Sequence, residues 1–566
     1  MMWMAVIKNN DVKKKCEQKL NIDEQTQNIL QVLQENNLPV PHVCNGNGTC
    51  GKCKIKLVSG NLPITEADRR LLSKKELEQG TRLACKANMK EIFEINANNE
   101  LVLELIRNPE ENIVAEAIEI ELRDITDKSY FIAVDIGTTT IAMALVNAQT
   151  GEVCDTYTSL NHQRKYGADV LSRISAANSG KAEELKKIIE EDLQNGIKKL
   201  LSNEIREKDS ITNEGDSKDK NIKNRKIELT KIIIAGNTTM IHLLMGYSCE
   251  FLGKYPFVSE HLKQIQCTLK ECIGKFQNHE LKINMIPDEE ENKIYSKCEN
   301  VPVTILPGIS AFVGGDIVAD VVACEGFETG GICLLIDLGT NGEIVLGNKH
   351  KILATSTAAG PAFEGGNITC GTASIPGSIC QVKIQNQKAI VRTIKSEMPP
   401  NGICGTGLIS VVAQLKKEGL VDEEGTLKQP YDKNGFPLWI FENGDKIALY
   451  QKDIREFQLA KAAIRAGIDL LLEEYGCISE EIKNVYIAGG FGKAINIEDV
   501  FMTKMFPEKF REKINFMGNS ALQGAVCFGK DIMIRKQIEN ICDRTDNIIL
   551  SENPEFQNKY MKYMNL

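Results

Sequence analysis

Three thiols fall within ten residues, Cys44, Cys50 and Cys53, and a fourth, Cys85, follows after thirty-one more. The stretch reads Cys-Asn-Gly-Asn-Gly-Thr-Cys-Gly-Lys-Cys. Its Asn and Gly residues tolerate the turns a loop needs to wrap a small object with its amides pointing inward. Four thiolates suit either zinc or an iron–sulfur cluster, and ligand softness alone does not choose between them.

Spacing narrows the choice. Zinc sites usually pair two short Cys-x-x-Cys knuckles, and Cys85 has no close partner. One loop carrying three ligands with a single distant fourth is the arrangement of a [2Fe–2S] ferredoxin, one residue from the plant-type spacing in its first gap. That difference resembles the adrenodoxin-like variant. Structural zinc and a disulfide pair are the alternatives. His42, beside the loop, reads as a packing or surface residue, because a Rieske centre needs two histidines.

A second chemistry begins at Phe131-Ile-Ala-Val-Asp135-Ile-Gly137-Thr138-Thr139-Thr140. A buried strand runs into an acid, a glycine turn and hydroxyls, and then into another apolar strand. Amides at Gly137 to Thr139 are placed to cradle phosphate, and Asp135 to hold magnesium directly or through water. The order returns at Asp337, Gly339, Thr340 and Asn341. An echo about two hundred residues away is the mark of two related lobes. A third glycine loop, Ala488-Gly489-Gly490-Phe491-Gly492, follows a short apolar strand, and close backbone approach to a base or ribose would explain its glycines. No Walker A run and no Rossmann order of glycines is present, so nucleotide binding would use facing loops of two lobes.

Elements must position these groups. Met1 to Ile7 reads as a first strand, Gln27 to Glu35 as a helix with Ile29, Leu30 and Leu33 on one face, and Cys53 to Val58 as a strand. Thr65 to Gln79 has helical spacing, and Ile92, Phe93 and Ile95 suggest a closing strand. Gly236-Asn237-Thr238-Thr239 is a strand-to-helix turn. Residues 454–474 form the strongest helix, with a small-residue face. Thr357 to Gly366 is a polar-poor loop with Glu364 as its one charge, residues 204–226 read as an exposed charged loop, and the last forty residues as peripheral. Gly314-Gly315-Asp316 and Gly518-Asn519-Ser520 are further polar turns.

Composition sets limits. A net charge of −9 over 566 residues disfavours non-specific nucleic-acid binding. No eighteen-residue apolar run predicts a membrane span, and the N-terminus lacks the pattern of a signal peptide. The remaining cysteines are scattered singly, several in apolar runs, as suits buried thiols in a reducing cytoplasm.

Taken in order, the cysteine set, Asp135-Ile-Gly-Thr-Thr-Thr, Gly236-Asn-Thr-Thr-Met, Asp337-Leu-Gly-Thr-Asn-Gly-Glu and Ala488-Gly-Gly-Phe-Gly resemble one family, the ATP-dependent reductive activators of corrinoid proteins. The resemblance implies a multidomain α/β chain: an N-terminal β-grasp [2Fe–2S] ferredoxin-like domain, then a two-lobed actin-like ATPase region of the acetate/sugar kinase, Hsp70 and actin (ASKHA) type. The boundaries expected are 1–96 for the ferredoxin-like domain, 97–129, read as apolar-alternating strands with charged breaks, for a linker or small connecting unit, 130–330 for the first lobe with a charged insertion near 204–226, and 331–566 for the second lobe and C-terminal extension. It further implies Cys44, Cys50, Cys53 and Cys85 as cluster ligands and Asp135 and Asp337 as the phosphate-loop acids. Gly137, Thr138, Thr139, Gly339, Thr340 and Asn341 would lie on the phosphates with Mg2+, and Gly489 and Gly490 on the adenosine. The activity implied is one-electron reduction of a Co(II) corrinoid protein to Co(I), with ATP, a low-potential electron donor, a homodimeric assembly and a cytoplasmic location. A related branch carries extra C-terminal cysteines for [4Fe–4S] clusters, and this chain has only Cys527 and Cys542 there. The rival readings are a small-molecule kinase with an appended cluster and a ferredoxin-domain oxidoreductase.

Overall fold

The computed structural model describes residues 3–11, 14–22, 28–30, 33, 53–59, 61–88, 92, 100–105, 129–210, 228–276, 298–395, 398–489, 495–531 and 533–566. The chain forms two compact units, Met1–Glu111 with Gln163–Ala176, and Asn112–His162 with Ala177–Leu566.

The first unit is built on a five-stranded sheet of order β2-β1-β5-β3-β4. Its strands are β1 (Trp3–Asp11), β2 (Lys14–Ile22), β3 (Lys54–Ser59), β4 (Thr81–Leu83) and β5 (Glu100–Leu105). The expected linker from residue 97 is corrected by β5, which lies at the centre of this sheet, parallel to β1 and antiparallel to β3. Its alternating Leu101, Leu103 and Leu105 suit a central strand. Ile92 is helical and buried rather than part of a closing strand. Between β3 and β4 the expected helical stretch is two short helices, Glu66–Leu71 and Lys74–Glu78, separated because Thr65 and Ser73 each close a capping box with Asp68 and Glu76. Ile29, Leu30 and Leu33 are helical and buried with Ile55, Leu83 and Cys85 in one core.

The second unit holds two six-stranded sheets of the same design. The first has β6 (Ser129–Ile136), β7 (Thr140–Asn147), β8 (Val153–Leu160), β9 (Glu228–Gly236), β10 (Ile265–Thr268) and β11 (Pro302–Ile305), in the order β10-β11-β9-β6-β7-β8. The second contains β12 (Ile332–Leu338), β13 (Gly342–Gly347) and β14 (Ile352–Thr357). A three-stranded sheet of β15 (Ser378–Gln385), β16 (Lys388–Thr393) and β17 (Gly402–Ile403) and the hairpin β18 (Phe436–Ile440) and β19 (Lys446–Leu449) are set apart from it. With β20 (Ile482–Ala488), β21 (Ile514–Gly518) and β22 (Thr545–Asn547) the second sheet runs β21-β20-β12-β13-β14-β22.

In each sheet an antiparallel meander starts with the strand carrying the acid. β6 pairs with β7 and parallel with β9, as β12 pairs with β13 and parallel with β20. Asp135 lies opposite Ala235 in the parallel pair and Asp337 opposite Ala488. The sequence echo is therefore an architectural one.

Helices Gly315–Ala323 and Ser520–Lys530 join the sheets, contributing Val318, Ala319, Val322 and Ala525 to a core that also takes Phe131 and Ala133 of β6 and Cys333 and Leu335 of β12. They pack closely at Gly524, where a Cβ would lie 1.9 Å from the Ala319 carbonyl oxygen. Helix Gln451–Tyr475 is the long expected one, and Ala460, Ile464, Ile468 and Leu471 pack it against the second sheet's core.

Two further expectations are corrected. The helix Ala182–Ser210 carries the backbone into the segment expected to be an exposed loop, whose remainder, 211–226, lies outside the described residues. The last forty residues are not peripheral: Leu566 is buried in the second core, and its amide donates to the Glu423 carbonyl. Gln458, Lys461 and Lys504 donate to the carbonyls of Met564, Asn565 and Leu566. Burial, with Lys416, Lys504 and Arg465 nearby, holds the Lys461 amine down to about 7.

Candidate functional site

Two of the four cluster cysteines fall on described residues. Cys53 immediately precedes β3 and Cys85 follows β4 by two residues. The pairing Lys54↔Leu83 and a 2.8 Å bond from the Ala84 amide to the Cys53 carbonyl bring their backbones side by side. Both are buried and neither is in a disulfide. Strand pairing thus closes the long sequence gap to Cys85. Cys44 and Cys50, with His42, lie outside the described residues.

In the second unit the tips of the two acid-bearing hairpins supply a polar cluster. Gly137 and Gly339 close their own turns, their amides donating to Thr140 O (3.0 Å) and Asn341 O (2.9 Å). The Gly137 amide expected on phosphate is thus engaged inside its turn. Asn161 pins the first tip, its side chain donating to the Gly137 carbonyl at 2.9 Å and its backbone amide to that of Thr139. The hydroxyls of Thr139 and Thr340 converge on one carboxylate, Glu364, at 3.0 and 2.5 Å. Glu364 ends the turn Pro361–Glu364 within the loop read as polar-poor. No periodicity signals that role, because its partner Thr139 is 225 residues away.

Gly489 needs no nucleotide to account for it. It sits at φ +92°, and a Cβ there would lie 2.6 Å from Leu338 O and 2.7 Å from Asp337 Oδ1. The glycine lets the third loop pass against the Asp337 carboxylate. Gly490 lies outside the described residues. The Gly236–Thr238 turn meets the Gly314 turn: Asn237 caps helix Thr238–Met245, Thr238 donates to Ser310 O at 2.7 Å, and a Cβ on Gly314 would touch the Thr238 amide.

Acids crowd this region. Asp135 accepts from Asn519 Nδ2 at 2.8 Å, Asp320 from Ser520 Oγ at 2.6 Å, and Glu343 from Ser356 Oγ at 3.0 Å. Asp135, Asp316 and Asp337 keep some surface to water yet are enclosed by protein, and burial is the main reason each carboxyl is pushed up to about 7. Neighbouring carboxylates add to it: Asp337 acts on Asp135, Asp135 on Asp316, and Asp316 with Glu364 on Asp337. Asp320 and Glu343, more deeply buried, go well above the carboxylate range for the same reasons. Asp320 Oδ2 is buried with no hydrogen-bond partner. A cation would relieve this mutual repulsion, but among the described residues no group of three or more His, Cys, Asp or Glu side chains is arranged to hold a metal ion by itself. Asp320 was not singled out by sequence; Glu343 lies in the second hairpin motif, and Glu364 stood out only as the one charge of its loop.

The sign of the pH effect follows. Asp316 titrates near 7 when folded and near 3.8 when unfolded. Between those values the folded state keeps a proton the unfolded state has lost, so stability falls as pH rises through this window and levels above 7. Asp316→Asn keeps the side-chain oxygen that accepts from the Ile317 amide (2.9 Å) and removes the titration. Its melting temperature should match the parent's near pH 4 and exceed it by a few degrees above pH 7. A constant difference across that range, read by calorimetry, would contradict the assignment.

Comparison with known proteins fits both units. Residues 11–90 match the model of a 2Fe–2S iron–sulfur cluster binding domain, a span that contains all four cysteines. Residues 130–215 and 216–326 match the RACo middle region, and 331–566 the C-terminal, ASKHA domain of RACo. The corrinoid activation enzyme RamQ of Eubacterium limosum is 31% identical over 76% of this chain and 69% of its own length. The chain belongs to the corrinoid activator family. A Methanosarcina barkeri protein named [Co(II) methylated amine-specific corrinoid protein] reductase is 27% identical over 48% of this chain and 52% of its own. A solved structure titled reductive activator for corrinoid, iron–sulfur protein aligns over 100% of this chain and 98% of its own, with a TM-score of 0.62 and 26% identity. The activator family's order, a ferredoxin domain followed by ASKHA-type α/β lobes, is the fold of this chain. Among the described residues no helix is long and apolar enough to cross a membrane.

Proposed function

We propose that this activator reduces a corrinoid-bearing protein from Co(II) to Co(I) in one-electron steps driven by ATP. The observation that carries the reading is one chain holding both a cysteine set of [2Fe–2S] spacing and a cluster of acids beside two matching hairpin tips. When bound, the cluster supplies one-electron transfer. Cys44, Cys50, Cys53 and Cys85 would hold it, and the buried pair at the ends of β3 and β4 fits that use. The low-potential donor, homodimeric assembly and Mg2+ belong to the same reading.

In the cleft, Asp135 and Asp337 would hold Mg2+ and orient water. A cation held by these two acids would draw its remaining ligands from phosphate oxygens and water, and would relieve the mutual repulsion of the carboxyls. Asn519 fixes the Asp135 carboxylate, Gly489 gives Asp337 its room, and Thr138, Thr139, Thr340 and the backbone of Asn341 line the phosphate side. ATP does work on the partner only if its complex with the activator has a different affinity for the corrinoid protein than the nucleotide-free complex has.

Linkage makes this testable. ATP hydrolysis by the anaerobically purified protein should accelerate about tenfold or more when a Co(II) corrinoid protein is added. It should not accelerate with sugars or short-chain acids, the acceptors of a kinase. Phosphoryl transfer to such an acceptor, with no response to corrinoid protein, would favour the kinase reading instead.

A further inference from the structure

Glu364 bridges the two hairpin tips. One of its carboxylate oxygens accepts from Thr139 at the first hairpin tip and the other from Thr340 at the second. Anionic phosphate oxygens offer hydroxyl donors the same chemistry. Two acceptors cannot hold the same pair of donors at once, and Glu364 already adds negative charge beside Asp337. A phosphate entering alongside it would meet both charges.

We propose that Glu364 is a resident competitor for nucleotide phosphate: its carboxylate occupies the Thr139 and Thr340 hydroxyls that a terminal phosphate would engage, and nucleotide entry exchanges one acceptor for the other. The inference rests on the reading that these tips bind nucleotide phosphate. Its consequence is local. Ala362 and Phe363 anchor the turn Pro361–Glu364 in the second core, the Phe363 ring edge-on to Phe457, so release of Glu364 loosens only the end of the turn where it passes into Gly365 at φ +78°. The exchange also makes affinity lower than the donors alone would give, because two hydrogen bonds must first be surrendered.

The test uses the full-length, cluster-loaded protein and Mg2+ with the non-hydrolysable analogue AMPPNP, titrated calorimetrically. Glu364→Ala should bind the analogue about tenfold more tightly than the parent. Glu364→Gln, which keeps the volume and one weak acceptor, should shift the same way by less and decides the matter if the alanine variant folds poorly. Thr340→Val should weaken binding. In the parent, nucleotide should speed deuterium exchange at the Gly365 and Gly366 amides, which donate to Ala362 O and Pro361 O within the turn. A merely structural Glu364 would give weaker binding on substitution. Unchanged or weaker binding by both Glu364 variants, with Thr340→Val still harmful, overturns the exchange alone. Binding that is absent, or untouched by Thr340→Val, overturns the nucleotide reading of the cleft and the exchange with it.

Discussion

Asp337→Asn will cut ATP-dependent cobalt reduction by about 10²–10³-fold while leaving the protein folded and its iron content intact. Asp337 sits at the end of β12, opposite Ala488 of β20, with Gly489 passing against its carboxylate. Amide for carboxylate preserves that packing. What is lost is a negative ligand for a cation and an acceptor for water. The variant has a second signature. Burial and the charges of Asp316 and Glu364 push Asp337 up to about 7, so ionising it disfavours the folded state at high pH. The inactive variant should therefore melt at a higher temperature than the parent at pH 8. A variant that is inactive and also less stable at pH 8 would point to damaged packing instead of lost chemistry.

Cys53→Ala has the opposite profile. Electron delivery to cobalt should fall at least about 10²-fold, with loss of the visible absorption of the cluster, because a thiolate ligand is removed. AMPPNP binding should stay within about twofold of the parent, since Cys53 lies in the first compact unit and the cleft residues in the second. The first unit should unfold at a lower temperature, because a small domain depends on its cluster for stability. The comparison separates an activator from a kinase carrying an ornamental cluster. Retained cobalt reduction in the cluster-depleted variant would remove Cys53 from the electron path.

Much of this was legible in the sequence wherever chemistry is local. The hairpins were visible because an apolar strand, an acid, glycine and hydroxyls occur in unbroken order, and both fold as expected, with Asp135 and Asp337 at equivalent positions. The Gly236 turn carries its own cap at Asn237. Groups assembled from distant segments were hidden. The alternation of β5 is visible in sequence, but its place in the first domain is not, because only pairing with β1 and β3 makes it central rather than part of a linker or small connecting unit. Glu364 appeared as the lone charge of a loop because its partners lie on two other elements. Asp320 resembles any acid on an apolar helix until Ser520 and the other carboxyls are brought to it. The polar C-terminal stretch concealed a buried Leu566, since the side chains that donate to the backbone oxygens of this tail, Lys461 to Asn565 and Lys504 to Leu566, lie far upstream. Gly489 reads in sequence as a place of close approach to a base or ribose, and in the structure the atoms nearest a Cβ there belong to Leu338 and Asp337.

The most direct measurement follows the Co(II) electron paramagnetic resonance signal of purified corrinoid proteins mixed anaerobically with the activator and a low-potential reductant. The set should span iron–sulfur, methylamine and methoxy-substrate types. One of them should lose its Co(II) signal and gain Co(I) absorption with ATP, and do so at least about tenfold more slowly with AMPPNP or no nucleotide. Equal rates with and without ATP, or no Co(I) from any of them, would contradict the coupling of a thiolate-held electron carrier to a nucleotide cleft in this chain.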